Sequence, residues 1–400
     1  MKRLLAILFL VFIFYIGGAT LPQAISSINA LVDGRGAGLS ETVEKIGNDY
    51  YNMLGFDAAN LHNKGAYINL NGLIARVMGQ RYMNERVKLN NGHLSEVLER
   101  HLQGQEVYTA ATQLTKLCEK TEKEGKAFLL VITPIQIPKY ENIMPVGYMD
   151  DANQNADDLL ELLGKNNVPV LDLRDEMMND GISITDAFFT TDHHWTPETG
   201  FWAYTKIIGC LTKSGIIDEI DPKYTDIGEF NVDVYKKWFL GSSGKRTGSY
   251  YAGVDDFSVI TPKFQTDMSV EIPSKNFYKN GEFAEAAIDM AANEKDYFSA
   301  NPYALYGYGD IDFIRFQNEA APIGMKVLAF GDSFKTVPFT LLSLVFSTCD
   351  QMDFRYYEGD FGEYYSETNP DIVILLTNAG GVGGINTTYD FAGDIGDIGE

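Results

Sequence analysis

The chain has 400 residues, 45% of them apolar, and a net charge of −23 from 32 basic and 55 acidic side chains. This length and apolar content are enough for a sizeable buried core, in one large or two modest domains. The charge argues against a nucleic-acid partner, because no basic field is present to neutralise phosphates. The 3 cysteines are widely spaced, which excludes a disulfide framework and predicts small buried apolar residues instead.

The amino terminus has the pattern of an export segment. Two basic residues at positions 2 and 3 precede an uncharged apolar run from residue 4 to residue 16, and small residues follow. Residues 1–24 are therefore predicted to be a signal peptide cleaved after Ala19, or an uncleaved membrane anchor. Either interpretation predicts an extracytoplasmic protein, secreted or anchored to the membrane by its N-terminal segment.

An N-terminal part and the beginning of an α/β domain follow. Residues 25–124 are predicted to be helical or irregular, with a strand-like start at residue 67 and a helix at residues 105–124. The continuous apolar run at residues 127–132 predicts a buried parallel strand. Residues 156–163 predict a helix and residues 168–173 a second strand, so this region forms a βαβ unit.

The second half of the chain interrupts this pattern and then resumes it. Residues 220–315 are rich in Gly, Asp, Tyr and Lys, which predicts a β-rich or irregular insertion with a tight loop at residues 241–246. Strands are predicted at residues 327–330, 352–356 and 372–376, with a helix near residues 336–346. Residues 381–400 predict a flexible acidic tail. The core, residues 125–380, is thus predicted to be a parallel sheet with helices on both faces and a site at the carboxyl ends of its strands.

Two short segments of this domain contain residue types that support acyl transfer. The run TDHHWTP at residues 191–197 ends in Pro197, which suits the first turn of a helix. On an extended segment Asp192 and His194 would share one side, and His193 would face away. Ser333 follows the predicted strand at residues 327–330 directly. Serine, histidine and aspartate are the three types that turn a hydroxyl into a nucleophile.

Both segments also have structural alternatives. The Gly-Asp-Ser turn could be a helix cap, although backbone N–H groups there could equally hold an oxyanion. The Asp-His-His run resembles metal ligands, but the other histidines lie in the N-terminal part of the chain, and no metal is expected. Arg355 could enter the site or form a structural ion pair, and Lys245 and Arg246 could bind an anionic sugar or only be solvated.

These motifs resemble the DHHW family, which is similar to the SGNH-hydrolase-like O-acetyltransferases of alginate biosynthesis. The resemblance is carried by VLDLR at residues 170–174, by TDHHWTP, by residues 241–257 and by GDSF about 140 residues after the histidines. A serine that follows the histidine in the chain is the circularly permuted order of those acetyltransferases. The resemblance covers residues 125–380.

The resemblance implies an SGNH-like fold and a Ser-His-Asp acyl-enzyme mechanism that needs no cofactor. By position it makes Ser333 the nucleophile, His194 the base and Asp192 the acid that orients the base. Asn378 takes the place of an oxyanion-hole side chain, and Arg355 and His193 are expected to line the substrate site. Ser333 and His194 are then expected to lie within about 3 Å of each other.

The acceptor implied by this resemblance is an exported polysaccharide, which receives acetyl groups passed outward by a membrane-bound O-acyltransferase. Two alternatives stay open. The same triad could use water, as a carbohydrate esterase or deacetylase does. The chain could also be a non-catalytic anchored component of a polysaccharide acylation or export complex.

Overall fold

The structure is a computed structural model that describes residue 15 and residues 63–96, 98–293 and 296–385. The predicted leader in residues 1–24, the segment of residues 25–62 and the tail beyond residue 385 lie outside the described residues. Within the described part of the chain, no helix combines the length and hydropathy needed to cross a membrane.

The N-terminal part contains helix α1 (Lys64–Val77) and a small antiparallel sheet of strands β1 (Tyr82–Met83), β2 (Arg86–Lys88) and β3 (Leu94–Ser95). The predicted strand-like start at residue 67 is wrong, because this segment lies within α1. Helix α1 packs against the backbone at Thr247, a long-range contact that the alternation of residues in the sequence does not reveal. A Cβ on Gly72 would lie 2.2 Å from the carbonyl oxygen of Thr247, so the two backbones pack directly on each other.

The core is an eight-stranded sheet, and a separate two-stranded sheet accompanies it. The strands are β4 (Ala127–Thr133), β5 (Val170–Asp172), β6 (Phe230–Phe239), β7 (Asp255–Pro262), β8 (Met268–Ile272), β9 (Phe277–Gly281), β10 (Phe313–Asn318), β11 (Ile323–Gly331), β12 (Phe346–Met352) and β13 (Ile372–Asn378).

The order of strands in the large sheet is β5-β4-β13-β11-β12-β10-β8-β9. The first five strands are mutually parallel, and the last three join antiparallel. The predicted α/β core is therefore confirmed, but its sheet is mixed, because the insertion and the chain that follows it add antiparallel strands at one edge. Strands β6 and β7 form the separate antiparallel pair.

Helices cover both faces of this sheet, as predicted. Alternate residues of β4 point to opposite faces, so Leu129 and Val131 belong to one buried cluster while Leu130 and Ile132 belong to the other. The helices are α2 (Gly104–Lys123), α3 (Ala152–Lys165), α4 (Leu173–Asn179), α5 (Ile184–Ala187), α6 (Pro197–Lys213), α7 (Ser242–Thr247), α8 (Ser249–Ala252), α9 (Phe283–Ala286), α10 (Thr336–Leu342) and α11 (Phe361–Thr368).

The predicted strand at residues 352–356 is wrong, because the strand lies earlier, at β12. Helix α10 ends at Leu342, four residues before the predicted end, and the chain turns directly into β12. Beyond β12, the carbonyl of Asp353 accepts hydrogen bonds from the backbone N–H groups of Tyr356 and Tyr357, which closes a turn. This turn lies at the carboxyl edge of the sheet, next to the end of β11.

Strand β11 approaches β13 closely at that edge. A Cβ on Gly331 would lie 2.3 Å from the carbonyl oxygen of Leu376, so only glycine allows the approach. Ser333 follows β11 and Asn378 ends β13, and the two residues therefore lie side by side at the carboxyl edge of the sheet.

Candidate active site

Ser333, His194 and Asp192 form a hydrogen-bonded chain. The Ser333 hydroxyl oxygen lies 2.7 Å from Nε2 of His194, and Nδ1 of His194 lies 2.5 Å from Oδ1 of Asp192. The same Asp192 oxygen accepts a hydrogen bond from the backbone N–H of His194 at 3.1 Å. All three side chains are buried. The predicted approach of Ser333 to His194 is thus confirmed, and the geometry allows a proton to pass from hydroxyl to imidazole.

The segment that contains Asp192 and His194 is bent at every residue from 190 to 194. The prediction that His193 faces away from His194 is wrong for this reason, since it assumed an extended chain. The two imidazole ring centroids are only 3.8 Å apart. Side-chain Nε2 of Gln136 holds the bends by donating to the carbonyl oxygens of Phe189 and Asp192, both at 2.8 Å.

Helix α7 holds the Asp192 carboxylate from the other side. The backbone N–H of Ser242 donates to Oδ2 of Asp192 at 2.7 Å, and the N–H of Gly241 donates to the hydroxyl oxygen of Thr191 at 2.9 Å. The N–H of Gly244 donates to the carbonyl of Thr191 at 2.8 Å. The predicted tight loop at residues 241–246 is therefore a short helix that positions the triad. This role was not predicted from the sequence, although the Gly-x-x-Gly spacing at residues 241–244 could have indicated a close backbone approach.

Ser333 is not a cap but the first residue of a 3₁₀ turn, Ser333–Lys335, which leads into α10. Asp332 caps this turn, because its Oδ1 accepts a hydrogen bond from the backbone N–H of Phe334 at 2.9 Å. The other Asp332 oxygen accepts from the backbone N–H of Asn378 at 2.8 Å and from its side-chain Nδ2 at 2.7 Å. Capping is thus supplied by the neighbouring residue, and the Ser333 hydroxyl is left to His194.

A second polar network supports His193. Its Nδ1 lies 3.4 Å from Oε1 of Glu96, and that carboxylate oxygen also accepts hydrogen bonds from the Ser242 hydroxyl at 3.1 Å and from Nη2 of Arg86 at 2.9 Å. Arg86 is almost fully buried. Glu96 and Arg86 were not predicted as site residues, because both belong to the N-terminal part and no motif surrounds them.

The charges around the triad follow from burial and from these contacts. Burial favours the neutral acid at Asp192, but the adjacent His194 and His193 and the Ser242 N–H hold its pKa far below its usual value. Burial lowers the pKa of His194, and the neighbouring His193 lowers it further against the opposing effect of Asp192. At neutral pH His194 is therefore an uncharged base, with its proton on the nitrogen that faces Asp192 and with Nε2 free to accept from Ser333.

The pKa of His193 is shifted in the opposite direction to that of His194. Burial would lower the pKa of His193, but Asp192 and Glu96 together raise it to about 9. Burial would raise the pKa of Glu96, yet the contacts with His193 and Arg86 lower it to about 2. A cation next to His194 is thus paired with carboxylates on both sides.

A cleft of about 290 Å³ opens over Ser333, and His193, Arg355 and Asn378 line it. Arg355 therefore has both of the roles considered for it. It lines the cleft, and it also forms an ion pair, because its guanidinium donates to both carboxylate oxygens of Asp353 at 2.8 and 2.6 Å.

Lys245 and Arg246 do not line this cleft. Nζ of Lys245 donates to the carbonyl of Ala300 at 2.7 Å, and Arg246 pairs with Glu85 on the surface. Neither side chain is placed to contact a substrate above Ser333.

The donor atoms of Asp192, His193 and His194 lie within 4.8 Å of one another, close enough to surround a cation. However, both oxygens of Asp192 and both ring nitrogens of His194 already have hydrogen-bond partners. A metal ion would have to break the bond between His194 and Ser333. The arrangement therefore favours proton transfer over metal ligation.

Aromatic rings enclose His194. The ring of Tyr303 stacks on it with centroids 4.1 Å apart and an interplanar angle of 17°, and the Phe334 centroid lies 5.2 Å away. Tyr303 belongs to the predicted insertion of residues 220–315 and is buried. This part of the chain thus shields the base of the triad from solvent.

Comparison with known proteins agrees with this architecture. Residues 94–228 match the family model described as the SGNH hydrolase-like domain of the acetyltransferase AlgX. Bacillus cereus PatB1, solved with a sulfonyl adduct, superposes with a TM-score of 0.61 at 17% identity, over 74% of this chain and 97% of PatB1. A DHHW family protein from Eubacterium siraeum superposes with a TM-score of 0.56 at 14% identity, over 76% and 96% of the two chains. A comparison with curated proteins found no match. The predicted resemblance is confirmed, for the fold and for the matched segment.

Proposed function

We propose that this protein is an extracytoplasmic acyltransferase, which moves an acetyl group onto a hydroxyl of an exported polysaccharide through an acyl-enzyme on Ser333. The observation that carries the proposal is the chain of hydrogen bonds from Ser333 through His194 to Asp192. The match of residues 94–228 to an acetyltransferase domain model supports the acyl group.

The first half-reaction acylates Ser333. Nε2 of His194 accepts the hydroxyl proton while Oγ forms a bond to the carbonyl carbon of an acetyl ester. Asp192 stabilises the imidazolium that results. The tetrahedral intermediate then breaks the bond between the carbonyl carbon and the leaving oxygen of the donor. That oxygen takes the proton from His194 and departs as an alcohol.

The second half-reaction reverses these roles. A sugar hydroxyl gives its proton to His194 and attacks the acetyl carbon, and Oγ of Ser333 leaves with that proton. We assign the developing oxyanion to the backbone N–H of Ser333 and to Nδ2 of Asn378, which carries a second hydrogen besides the one bonded to Asp332.

Transfer to a sugar requires that water does not reach the acyl-enzyme first. The stacked ring of Tyr303 and the ring of Phe334 leave only 9% of His194 exposed, which limits the paths by which a water molecule could be activated. This enclosure favours a transferase over an esterase that uses the same triad.

The location rests on the sequence of the N-terminal segment, and the donor rests on the resemblance to the alginate O-acetyltransferases. A basic start and an apolar run in residues 1–24 are typical of an export signal or anchor, which would place the cleft outside the cytoplasmic membrane. A membrane-bound O-acyltransferase would then supply acetyl groups across the membrane.

Intact-protein mass spectrometry tests the proposal directly. The full 400-residue chain is exposed to 4-nitrophenyl acetate, beside Ser333→Ala, His194→Gln and the control Ser366→Ala, which alters an exposed serine on α11. We expect one acetyl adduct on wild type and on the control, and none on the first two variants. A folded wild type that stays unmodified would overturn the proposal and favour the non-catalytic component.

A further inference from the structure

The cleft over Ser333 is lined by more acidic than basic groups. The charged lining residues are Glu96, Glu99, Asp150, Asp332, His193 and Arg355. Since a substrate must enter this cleft to reach Ser333, its charge has to be compatible with them.

Each cation in the lining already faces a carboxylate. His193 is paired with Glu96. The Arg355 guanidinium binds both oxygens of Asp353 and also contacts Oδ1 of Asp310 at 3.3 Å. Both positive charges are thus already balanced by carboxylates, at least one for each cation.

Glu99 and Asp150 form no such ion pair in the described part of the chain. Within residues 63–96, 98–293 and 296–385, no basic side chain lies within ion-pair distance of either carboxylate. Asp150 accepts the backbone N–H groups of Glu99 at 2.8 Å and Ala152 at 3.0 Å, so the two acids lie close together. Burial raises the pKa of both carboxyls, and the charge of Asp150 raises that of Glu99 further, against the opposing effect of Arg100.

These acids lie at the wall formed by the loop after β13. A Cβ on Gly380 would lie 3.7 Å from Cγ of Glu99, and both residues line the cleft. An acidic cleft with walls of low dielectric repels anions more strongly than an exposed surface of equal charge.

We propose that the acceptor is a glycan without carboxylate groups, either uncharged or carrying amines, and that the cleft discriminates against polyuronates. This inference rests on the proposed function and goes beyond it by naming the charge class of the acceptor. Two observations carry it: Glu99 and Asp150 form no ion pair with the described residues, and the charge of Arg355 is already balanced by Asp353.

The test separates acylation from transfer. Acetyl-Ser333 is first formed with 4-nitrophenyl acetate, an uncharged donor, and its decay is then followed by mass spectrometry with three acceptors of equal length. They are an N-acetylated chito-oligosaccharide, its de-N-acetylated cationic form and an oligogalacturonate. We expect the uronate to accept acetyl at least about tenfold more slowly than the other two at low salt, with a smaller difference at high salt.

Single substitutions that change one charge show whether Glu99 is responsible for the discrimination between acceptors. Glu99→Gln should reduce the difference between acceptors, and Glu99→Lys should reverse it. Glu319→Lys makes the same change of charge at an exposed turn before β11, on the opposite edge of the sheet, and should leave it unchanged.

The two proposals fail in different ways. Absence of acetyl-Ser333 in wild type would contradict the proposed function. Formation of acetyl-Ser333 followed by equal or faster transfer to the uronate would contradict only the charge class of the acceptor. Equal effects of Glu99→Lys and Glu319→Lys would show that the overall charge, and not the cleft, sets the preference, and would also overturn the inference.

Discussion

Gly241 packs directly against Asp192, so that the one methyl group added by Gly241→Ala should disable the triad. Gly241 has φ −67° and ψ −179°, values that alanine adopts without strain. Its backbone conformation therefore does not require glycine. The close packing around it does require glycine, because a Cβ at this position would lie 2.2 Å from Cβ of Asp192 and 2.6 Å from the carbonyl oxygen of Thr191.

The size of the effect follows from these distances. Non-bonded carbon atoms prefer a separation of about 3.5 Å, so Gly241→Ala must displace Asp192 or helix α7 by roughly 1 Å. A displacement of this size at a catalytic group lowers a rate by about 100-fold. The overpacking itself should lower the free energy of unfolding by about 1–3 kcal/mol.

The assay is the rate of nitrophenolate release during the first turnover with 4-nitrophenyl acetate, together with urea unfolding. Gly209→Ala is the matched control, because a Cβ at this exposed position of α6 meets no atom within 4 Å. It should leave acylation unchanged and raise the free energy of unfolding by about 0.5–1 kcal/mol.

A second pair of variants tests the backbone N–H of Ser242. Ser242 is the first residue of α7, and the extended Gly241 before it has a backbone conformation compatible with proline. Ser242→Pro deletes the N–H that binds Asp192 and places its Cδ against that carboxylate, whereas Ser242→Ala keeps the N–H and removes only the hydroxyl. We expect Ser242→Pro to acylate at least about tenfold more slowly than Ser242→Ala. Wild-type acylation in both Gly241→Ala and Ser242→Pro would refute the role assigned to α7.

Three further changes test the surroundings of the triad. The pKa of His193 is raised from 6.5 to about 9, so the stability that its charge contributes is complete below pH 6.5 and is lost as the pH rises to 9. Glu96→Gln should reduce this loss, which urea unfolding measures across the same pH range. Asp255→Asn replaces a carboxylate that accepts the hydroxyl and two backbone N–H groups of the segment before Asp192, and should lower the free energy of unfolding by about 1.5–3 kcal/mol in the same assay. Tyr303→Leu removes the ring stacked on His194 and should raise the ratio of released acetate to acetylated acceptor, which chromatography of the products measures.

The parts of the site that the sequence predicted are those governed by local rules. A continuous apolar run followed by Gly-Asp-Ser indicates a strand and the turn after it, and parallel strands end at one edge. These rules brought Ser333 and Asn378 together correctly. The spacing of Asp192 and His194 indicated a pair, and the structure shows one.

The parts that were missed depend on contacts between distant segments. Gln136, Glu96 and Ser242 come from three separate regions of the chain, and each meets the segment of residues 189–194 only after folding. Nothing in the local sequence of Gln136 or Glu96 distinguishes them from other polar residues, and only the glycines at 241 and 244 indicate a close contact near Ser242. The orientation of His193 was predicted wrongly for a related reason, because Gln136 and Asp255 impose bends that the local sequence does not indicate.

Those distant contacts also help to keep the base uncharged. Burial lowers the pKa of His194 most, whereas the adjacent Asp192 carboxylate favours the imidazolium. His193 opposes Asp192 as a second cation, with its ring centroid 3.8 Å from that of His194, and Asp192 and Glu96 keep His193 protonated. Removing Glu96 should therefore free His193 to lose its charge and should raise the pKa of His194. The pH dependence of acylation would then shift upward on its acid side in Glu96→Gln, whereas a purely structural role for Glu96 would lower the rate equally at every pH.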